Sequence, residues 1–227
     1  MTPNLSLNDP AFVGVAGTAV FAGGRGVFCG GTGDSGRTDE MQYITIATPS
    51  DSLDFGDLIT ATNSWSGTGS NTRGVMGGGT TGTYTDTIEY LTIATPADAS
   101  DFGDLTERVV STGACSNGTR GLWGCGNRIT TPTITDVIAY ITIDTTGDAS
   151  DFGDATQARY GVSGLAGNGR GVFNGGYTTG TTFDIMDYVT IDTTGNASDL
   201  GDLTSPAYAP AGTSDNVNRG IVAGGGR

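Results

Sequence analysis

The sequence predicts an all-β chain folded as a single β-propeller, five blades of four antiparallel strands with the last blade incomplete or closed by the N-terminus; four blades are the alternative. Three observations predict it. The phrases RGVFCGG, RGVMGGG, RGLWGCG, RGVFNGG and RGIVAGG begin at Arg25, Arg73, Arg120, Arg170 and Arg219, in steps of 48, 47, 50 and 49 residues. Between them recur YITIAT, YLTIAT, YITIDT and YVTIDT, led by Tyr43, Tyr90, Tyr140 and Tyr188, each followed by DSLDFGDL, DASDFGDL, DASDFGDA or NASDLGDL. Throughout, alternation and turn residues dominate, and no segment sustains a helical period. A fixed period of about 50 residues, with several short strands per unit, marks a propeller blade and not a helical solenoid.

In chain order, residues 1–10 (MTPNLSLNDP) read as a leader and candidate anchor, and residues 11–227 as the propeller. The leader is neither strongly charged nor strongly apolar, so it is expected to dock in a groove of a partner, strand addition being one route. AFVGVAGTAVF, from Ala11, is one strand-like run; no cationic segment precedes it, so a secretory signal is not expected. The stretch before each Arg, such as YGVSGLAGNG, has the small residues of a crowded innermost strand. The apolar run after each Arg is the next strand, and its paired glycines mark a tight exit among crowded backbones. In YVTIDT, Tyr188, Thr190 and Asp192 alternate with Val189 and Ile191, so one side packs and the other is polar. Phe55, Phe102 and Phe152 of the DFGD strands are expected to plug the gap between adjacent blades, with Leu200 in the last copy. Five inner pairs stand against four Tyr strands and four DFGD strands, so the fifth unit stops after its inner pair. Completing it from the opposite chain end would remove an exposed sheet edge. A four-bladed ring with an extra closing strand, or an open array joined to other chains, are the other arrangements.

Composition excludes several function classes. The 227 residues include 40 Gly, with 24 acidic against 10 basic residues and a net charge of −14. Every basic residue is Arg; Lys and His are absent. Such a chain cannot assemble the large cationic patch that displaces counterions from phosphate, so no nucleic-acid partner is expected, and an anionic membrane surface repels it. No run of 18 apolar residues exists, so no membrane insertion is expected. Without His there is no ordinary Ser-His dyad, and without Lys neither a Schiff base nor a phosphate-binding lysine, so no enzyme is expected. The acids lie in repeated turns, whereas an active site normally breaks a repeat to place one unmatched residue. Cys29, Cys115 and Cys125 show no metal-ligand spacing and read as small buried hydrophobes.

Two features still invite a ligand. The repeated Arg25, Arg73, Arg120, Arg170 and Arg219 form a ring of guanidiniums in a closed propeller, suited to carboxylates. The architectural reading, in which each Arg pairs with an Asp of the adjacent blade, is favoured, because a binding site seldom needs five identical copies. The Asp-rich turns (Asp51, Asp54 and Asp57; Asp98, Asp101 and Asp104; Asp148, Asp151 and Asp154) offer hard oxygens to Ca²⁺. Their spacing matches no calcium motif, and Asp also makes turns with its own backbone, so no cofactor is expected. GGGTTGTYTD and GGYTTGTTFD read as long turns between the second and third strands, since no helix follows them. Trp65 and Trp123 read as packing residues, with sugar stacking the alternative, alongside Tyr84, Tyr177 and Phe183 on those turns.

A paired-glycine strand, a Tyr-led strand and an aromatic strand leading back to the next glycine pair resemble the kelch-type blade from about Ala11 to Gly226. The Tyr positions (Tyr43, Tyr90, Tyr140, Tyr188) match; Phe55, Phe102 and Phe152 stand where the family carries Trp, the Asp-rich turn is extra, and Cys125 replaces one paired Gly. The copper-dependent enzymes of that family need His ligands, absent here. The style RGVF-GG … YITIAT … DFGDL is also similar to glycine-rich repeat proteins encoded by tailed phages, marine ones especially. That resemblance implies a non-enzymatic virion protein, made in the host cytoplasm, decorating the head, neck or tail fibre or serving as an adhesion module. Its partners are then other virion proteins, with homo-oligomers and a host glycan as further expectations. A soluble, multivalent carbohydrate-binding propeller is the alternative, and an intracellular adaptor is disfavoured for want of a partner domain.

Overall fold

A computed structural model describes residues 24–226 except Ser35 and Asn216. The leader at 1–10 and the strand-like run from Ala11 lie outside the described residues. All regular structure described is β, and the strands form antiparallel sheets in chain succession. Sheet 1 orders β1 (Arg25–Gly33), β2 (Gly36–Thr45) and β3 (Leu53–Asp57). Sheet 2 orders β4 (Ser66–Gly69), β5 (Arg73–Gly77), β6 (Thr87–Thr92) and β7 (Ser100–Asp104). In sheet 3, short β8 (Val109–Val110) and β9 (Gly113–Ser116) both pair with the long β10 (Arg120–Arg128), followed by β11 (Ile134–Thr142) and β12 (Ser150–Asp154). Sheet 4 orders β13 (Ser163–Gly167), β14 (Arg170–Asn174), β17 (Ile185–Thr190) and β18 (Ser198–Asp202), and β15 (Tyr177–Thr178) and β16 (Thr181–Thr182) form a small hairpin in its long turn. Among the described residues sheet 5 consists of β19 (Ala211–Ser214) and β20 (Gly220–Ala223). The repeat phrases thus become strands as the sequence predicts, and the fifth unit stops after two. Among the described residues no strand of sheet 5 pairs with sheet 1.

One register serves every complete unit. Arg73 lies opposite Thr92, Arg120 opposite Thr142 and Arg170 opposite Thr190, with Arg25 opposite Thr45 in sheet 1. A bulge recurs one strand further out, at Met41/Gln42, Ile88/Glu89, Ile138/Ala139 and Met186/Asp187. Facing it is the glycine of each DFGD or DLGD, with φ of +131° at Gly56, +142° at Gly103, +143° at Gly153 and +125° at Gly201. A bulge deepens strand twist, which turns the outer strand toward the next unit.

The core is the set of gaps between successive sheets. Phe55 packs with Trp65, Met76, Leu91 and Ile93 of sheet 2. Phe102 packs with Trp123, Ile141 and Ile143 of sheet 3, and Phe152 with Val162, Phe173, Val189 and Ile191 of sheet 4. Each therefore plugs the gap as expected, and burying each side chain contributes about 1.5–3 kcal/mol. Leu200 is the exception at 42% exposed, because among the described residues sheet 5 has no outer strands to cover it.

Backbone hydrogen bonds repeat across the same gaps. Gly31, Gly79, Gly126 and Gly176, each the second residue of a glycine pair or its equivalent, donate N–H to the carbonyls of Thr62, Val109, Arg159 and Ala207 in the next unit. The residue before each is held left-handed: φ is +58° at Gly30, +73° at Gly78, +61° at Cys125 and +65° at Gly175. Close approach explains the preference for Gly, since a Cβ at Gly175 would lie 2.4 Å from the Ala207 carbonyl oxygen. At the innermost strand, Ser111 N–H donates to Ser64 O, Gly161 N–H to Ser111 O and Ala209 N–H to Gly161 O, one equivalent residue to the next. At the outer end, Ala99, Ala149 and Ala197 donate to the carbonyls of Asp57, Asp104 and Asp154.

Candidate functional site

The repeated Arg is spent on the neighbouring unit, but its partner is not the Asp expected from the sequence. Nη1 of Arg25 donates to the Ile93 carbonyl at 3.0 Å and the Ala94 carbonyl at 2.7 Å; Nη1 of Arg73 reaches Ile143 O at 3.0 Å and Nη1 of Arg120 reaches Ile191 O at 3.1 Å. Each guanidinium also lies over the Tyr two residues before the Thr opposite it in its own sheet: Arg25 over Tyr43 at 4.6 Å, Arg73 over Tyr90 at 4.5 Å, Arg120 over Tyr140 at 4.8 Å and Arg170 over Tyr188 at 4.2 Å. That Tyr stands edge-on to the Phe plug, at 5.9 Å for Tyr43–Phe55 and Tyr90–Phe102 and 5.7 Å for Tyr140–Phe152. Arg, Tyr and Phe form one clamp per gap. Arg170 keeps the stack over Tyr188, but among the described residues sheet 5 has no third strand to offer the equivalent carbonyl, and Arg219 beside β20 is exposed.

The Asp residues are occupied elsewhere, which is why the Arg–Asp pairing fails. Oδ1 of Asp98, Asp148 and Asn196 accepts the backbone N–H of Asp57, Asp104 and Asp154 in the preceding unit, each at 3.1 Å. Asp54 and Asp199 accept the N–H of Gly56 and Gly201, two residues on in their own strands. Burial, then Asp86, Asp148 and Asp101, raises the Asp104 carboxyl above its ordinary range; burial, then Asp136 and Asp151, raises Asp154. Among the described residues no three acids, thiols or imidazoles gather as a metal-holding group.

The ion pairs that do form lie off the repeat. Arg159 and Asp187 are completely buried and 2.8 Å apart. Arg159 also donates to the carbonyls of Gly175, Gln157 and Phe173, while Asp187 accepts from the Thr156 N–H and hydroxyl, so both charges are saturated. Glu89, the equivalent of Asp187 in sheet 2, is buried with no Arg partner among the described residues; it accepts the Ile59 N–H at 3.0 Å, and burial raises its carboxyl above the ordinary value of 4.5. The three cysteines are free and buried, as the sequence predicts. Burial pushes the thiols of Cys29 and Cys115 up to about 12 and that of Cys125 to about 11.

Sequence reading missed two concave features. A cleft of about 340 Å³ is lined by the equivalent stretches that begin four successive inner strands, around Trp65, Thr112, Val162 and Pro210. Tyr208 lines it and belongs to a trio with Tyr160 and Tyr177 whose ring centroids are 5.5–5.8 Å apart. The available signal was Tyr160 and Tyr208 recurring just before the residue that links each inner strand to the last. The second feature, a groove of about 320 Å³ between sheets 4 and 5, is lined by Leu165, Met186, Leu200 and Val222 with Arg170 and Arg219. Trp65 and Trp123 are both buried, in keeping with packing; Tyr84, Tyr177 and Phe183 are partly exposed on their turns. The chain matches no protein-family model and no curated protein.

Proposed function

We propose that the chain is a non-enzymatic structural protein of a tailed-phage virion, a kelch-like five-bladed propeller displayed on the head, neck or tail fibre as a decoration or host-adhesion module. One observation carries the absence of chemistry: the repeated Arg, Tyr, Phe and Asp are directed at the neighbouring unit and hold sheet to sheet. What remains outward is a strongly acidic surface of turns on a rigid frame, suited to dense display without self-association.

The same reading assigns ring closure to the N-terminal residues. The groove beside Arg170, the exposed Leu200 and a sheet 5 of two strands among the described residues support this reading, since closing strands would cover them. Five units, each in register with the last, make five blades the natural count. The leader at 1–10, or a neighbouring subunit, provides the attachment to the particle.

Mass spectrometry of gradient-purified particles, with immunogold labelling of intact ones, tests the reading. The protein is expected in fixed copy number at one site on the particle. Its absence from particles that package DNA and infect normally would overturn the proposal.

A further inference from the structure

We propose that the open inner edge of sheet 1 is the seat of residues 14–19, with Gly14 the fifth member of a closed ring of backbone hydrogen bonds between Ala209 and Ser64. The proposal rests on the five-unit ring of the reading above and is independent of whether the protein rides on a particle.

A row of bonds across the inner strands lacks one member. Ser111 N–H donates to Ser64 O at 3.0 Å, Gly161 N–H to Ser111 O at 2.8 Å and Ala209 N–H to Gly161 O at 2.8 Å. Among the described residues Ser64 N–H meets no acceptor and the Ala209 carbonyl no donor, so the row stops at both. Backbone groups drawn away from water are nearly always paired. A single residue that donates to Ala209 O and accepts from Ser64 N–H would close the row. The same vacancy shows in the sheets. Inner strands β4, β9, β13 and β19 pair with β5, β10, β14 and β20, whereas β1 pairs with β2 alone among the described residues.

The sequence supplies that residue. Each member of the row opens a hexapeptide: SWSGTG at 64–69, STGACS at 111–116, GVSGLA at 161–166 and APAGTS at 209–214. Their last residues lie opposite Gly74, Gly121, Gly171 and Gly220. Ahead of Gly26, the equivalent glycine of β1, stands GVAGTA at 14–19. It shares Gly, Val, Gly and Ala with GVSGLA, and Ala, Gly and Thr with APAGTS. The first position is left-handed in every described copy, with φ of +57° at Ser64, +56° at Ser111, +64° at Gly161 and +49° at Ala209. Gly14 falls at that position, and glycine adopts it without strain. The fourth position is crowded: a Cβ at Gly164 would lie 2.2 Å from Ala114 O, and one at Gly212 3.1 Å from Gly164 O. Gly17 falls there.

The link is of matching length. The other inner strands reach their Arg through residues 70–72, 117–119, 167–169 and 215–218, and residues 20–24 stand in that place before Arg25. In this seat Ala16 lies opposite Cys29 and Ala19 opposite Gly26, the register that β4 keeps with Gly77 and Gly74. The cleft of about 340 Å³ then has an account. Its walls are the first four residues of the four described hexapeptides, with Tyr208, and residues 14–17 form the fifth wall.

Amide hydrogen exchange of the ¹⁵N-labelled full chain tests the proposal. Ser64 N–H is expected to exchange within about tenfold of Ser111, Gly161 and Ala209. Gly14→Pro removes the N–H and forbids a left-handed φ, so it is expected to speed Ser64 exchange at least about tenfold while amides inside β11 hold. Should that variant fail to fold, the unaltered chain decides. In a sample mixing ¹⁵N-labelled with ¹³C-labelled chains, isotope-filtered NOEs are expected to join Gly14 to the Ser64 amide within one chain. A Ser64 amide that exchanges like an open loop, exchange indifferent to Gly14→Pro, or NOEs running between chains, as when a second copy fills the seat, would each overturn the proposal. Failure here removes the closed ring of five and leaves the virion reading to the particle experiment.

Discussion

Replacing Gly153 by Ala, with Gly147→Ala beside it, isolates the contact between one unit and the next. The two glycines share a positive φ, +143° and +153°, so an alanine at either carries conformational strain of about 1–3 kcal/mol. They differ in what the new methyl meets. At Gly147 nothing lies within 4 Å; at Gly153 the backbone carbon and oxygen of Gly195 lie at 2.5 Å and the Asn196 nitrogen at 2.8 Å. Those atoms belong to the turn that opens the next outer strand, and backbone cannot rotate aside as a side chain can. Making room separates Gly195 N–H from Phe152 O and Ala197 N–H from Asp154 O, both 2.7 Å, and Asp154 N–H from Asn196 Oδ1, 3.1 Å. Three such bonds at about 1 kcal/mol each put Gly153→Ala about 3 kcal/mol below Gly147→Ala. In a domain of this size that difference is about 6–12 °C in Tm. Urea unfolding and calorimetry of both variants measure it. Equal destabilisation, within about 0.5 kcal/mol, would refute the idea that units are locked through this turn.

The clamp predicts a contrast among its copies: Arg120→Met, which loses the Ile191 carbonyl and the Tyr140 stack, destabilises by about 1–2 kcal/mol, while Arg219→Met, at a side chain exposed beside β20, changes stability by less than about 0.5 kcal/mol in the same urea assay. Arg159→Met alone leaves Asp187 buried and charged and costs about 3–5 kcal/mol, whereas the double variant Arg159→Met/Asp187→Leu recovers most of it; a double-mutant cycle measures the coupling. Glu89 fixes a sign for pH dependence. Its folded carboxyl titrates above the ordinary 4.5, so the folded state holds the proton more tightly and stability falls as pH rises from 4.5 through the folded value. Glu89→Gln, which still offers an oxygen to the Ile59 N–H, is therefore expected to raise stability at pH 7 and flatten the pH profile above 4.5, checked by thermal melts across pH.

What was legible in the sequence was whatever a repeat writes in side chains. The strand phrases, the Phe plugs and the alternation of Val189 and Ile191 against Tyr188 and Thr190 follow from local pattern, since a strand's two faces are read two residues at a time. The partners of the repeated Arg were not legible, because the acceptor is a main-chain carbonyl about 70 residues away, and every residue has one. The Asp turns misled for a related reason: their carboxylates cap backbone N–H groups of the preceding unit, a use that leaves no mark in spacing. Arg159 and Asp187 stood out only as departures from the repeat, and the cleft exists only when four separate units bring their small residues to one place.

Native-state hydrogen exchange at the inter-sheet amides tests the central claim, that successive sheets are bonded to one another and unfold together. Ser111, Gly161 and Ala209 at the inner end, and Ala149 and Ala197 at the outer, donate only across a gap between sheets. They are expected to exchange with the same opening free energy as amides inside β5 and β10. If they exchange as fast as open loops while β5 and β10 stay protected, the sheets are separate beads on a chain and the account is contradicted.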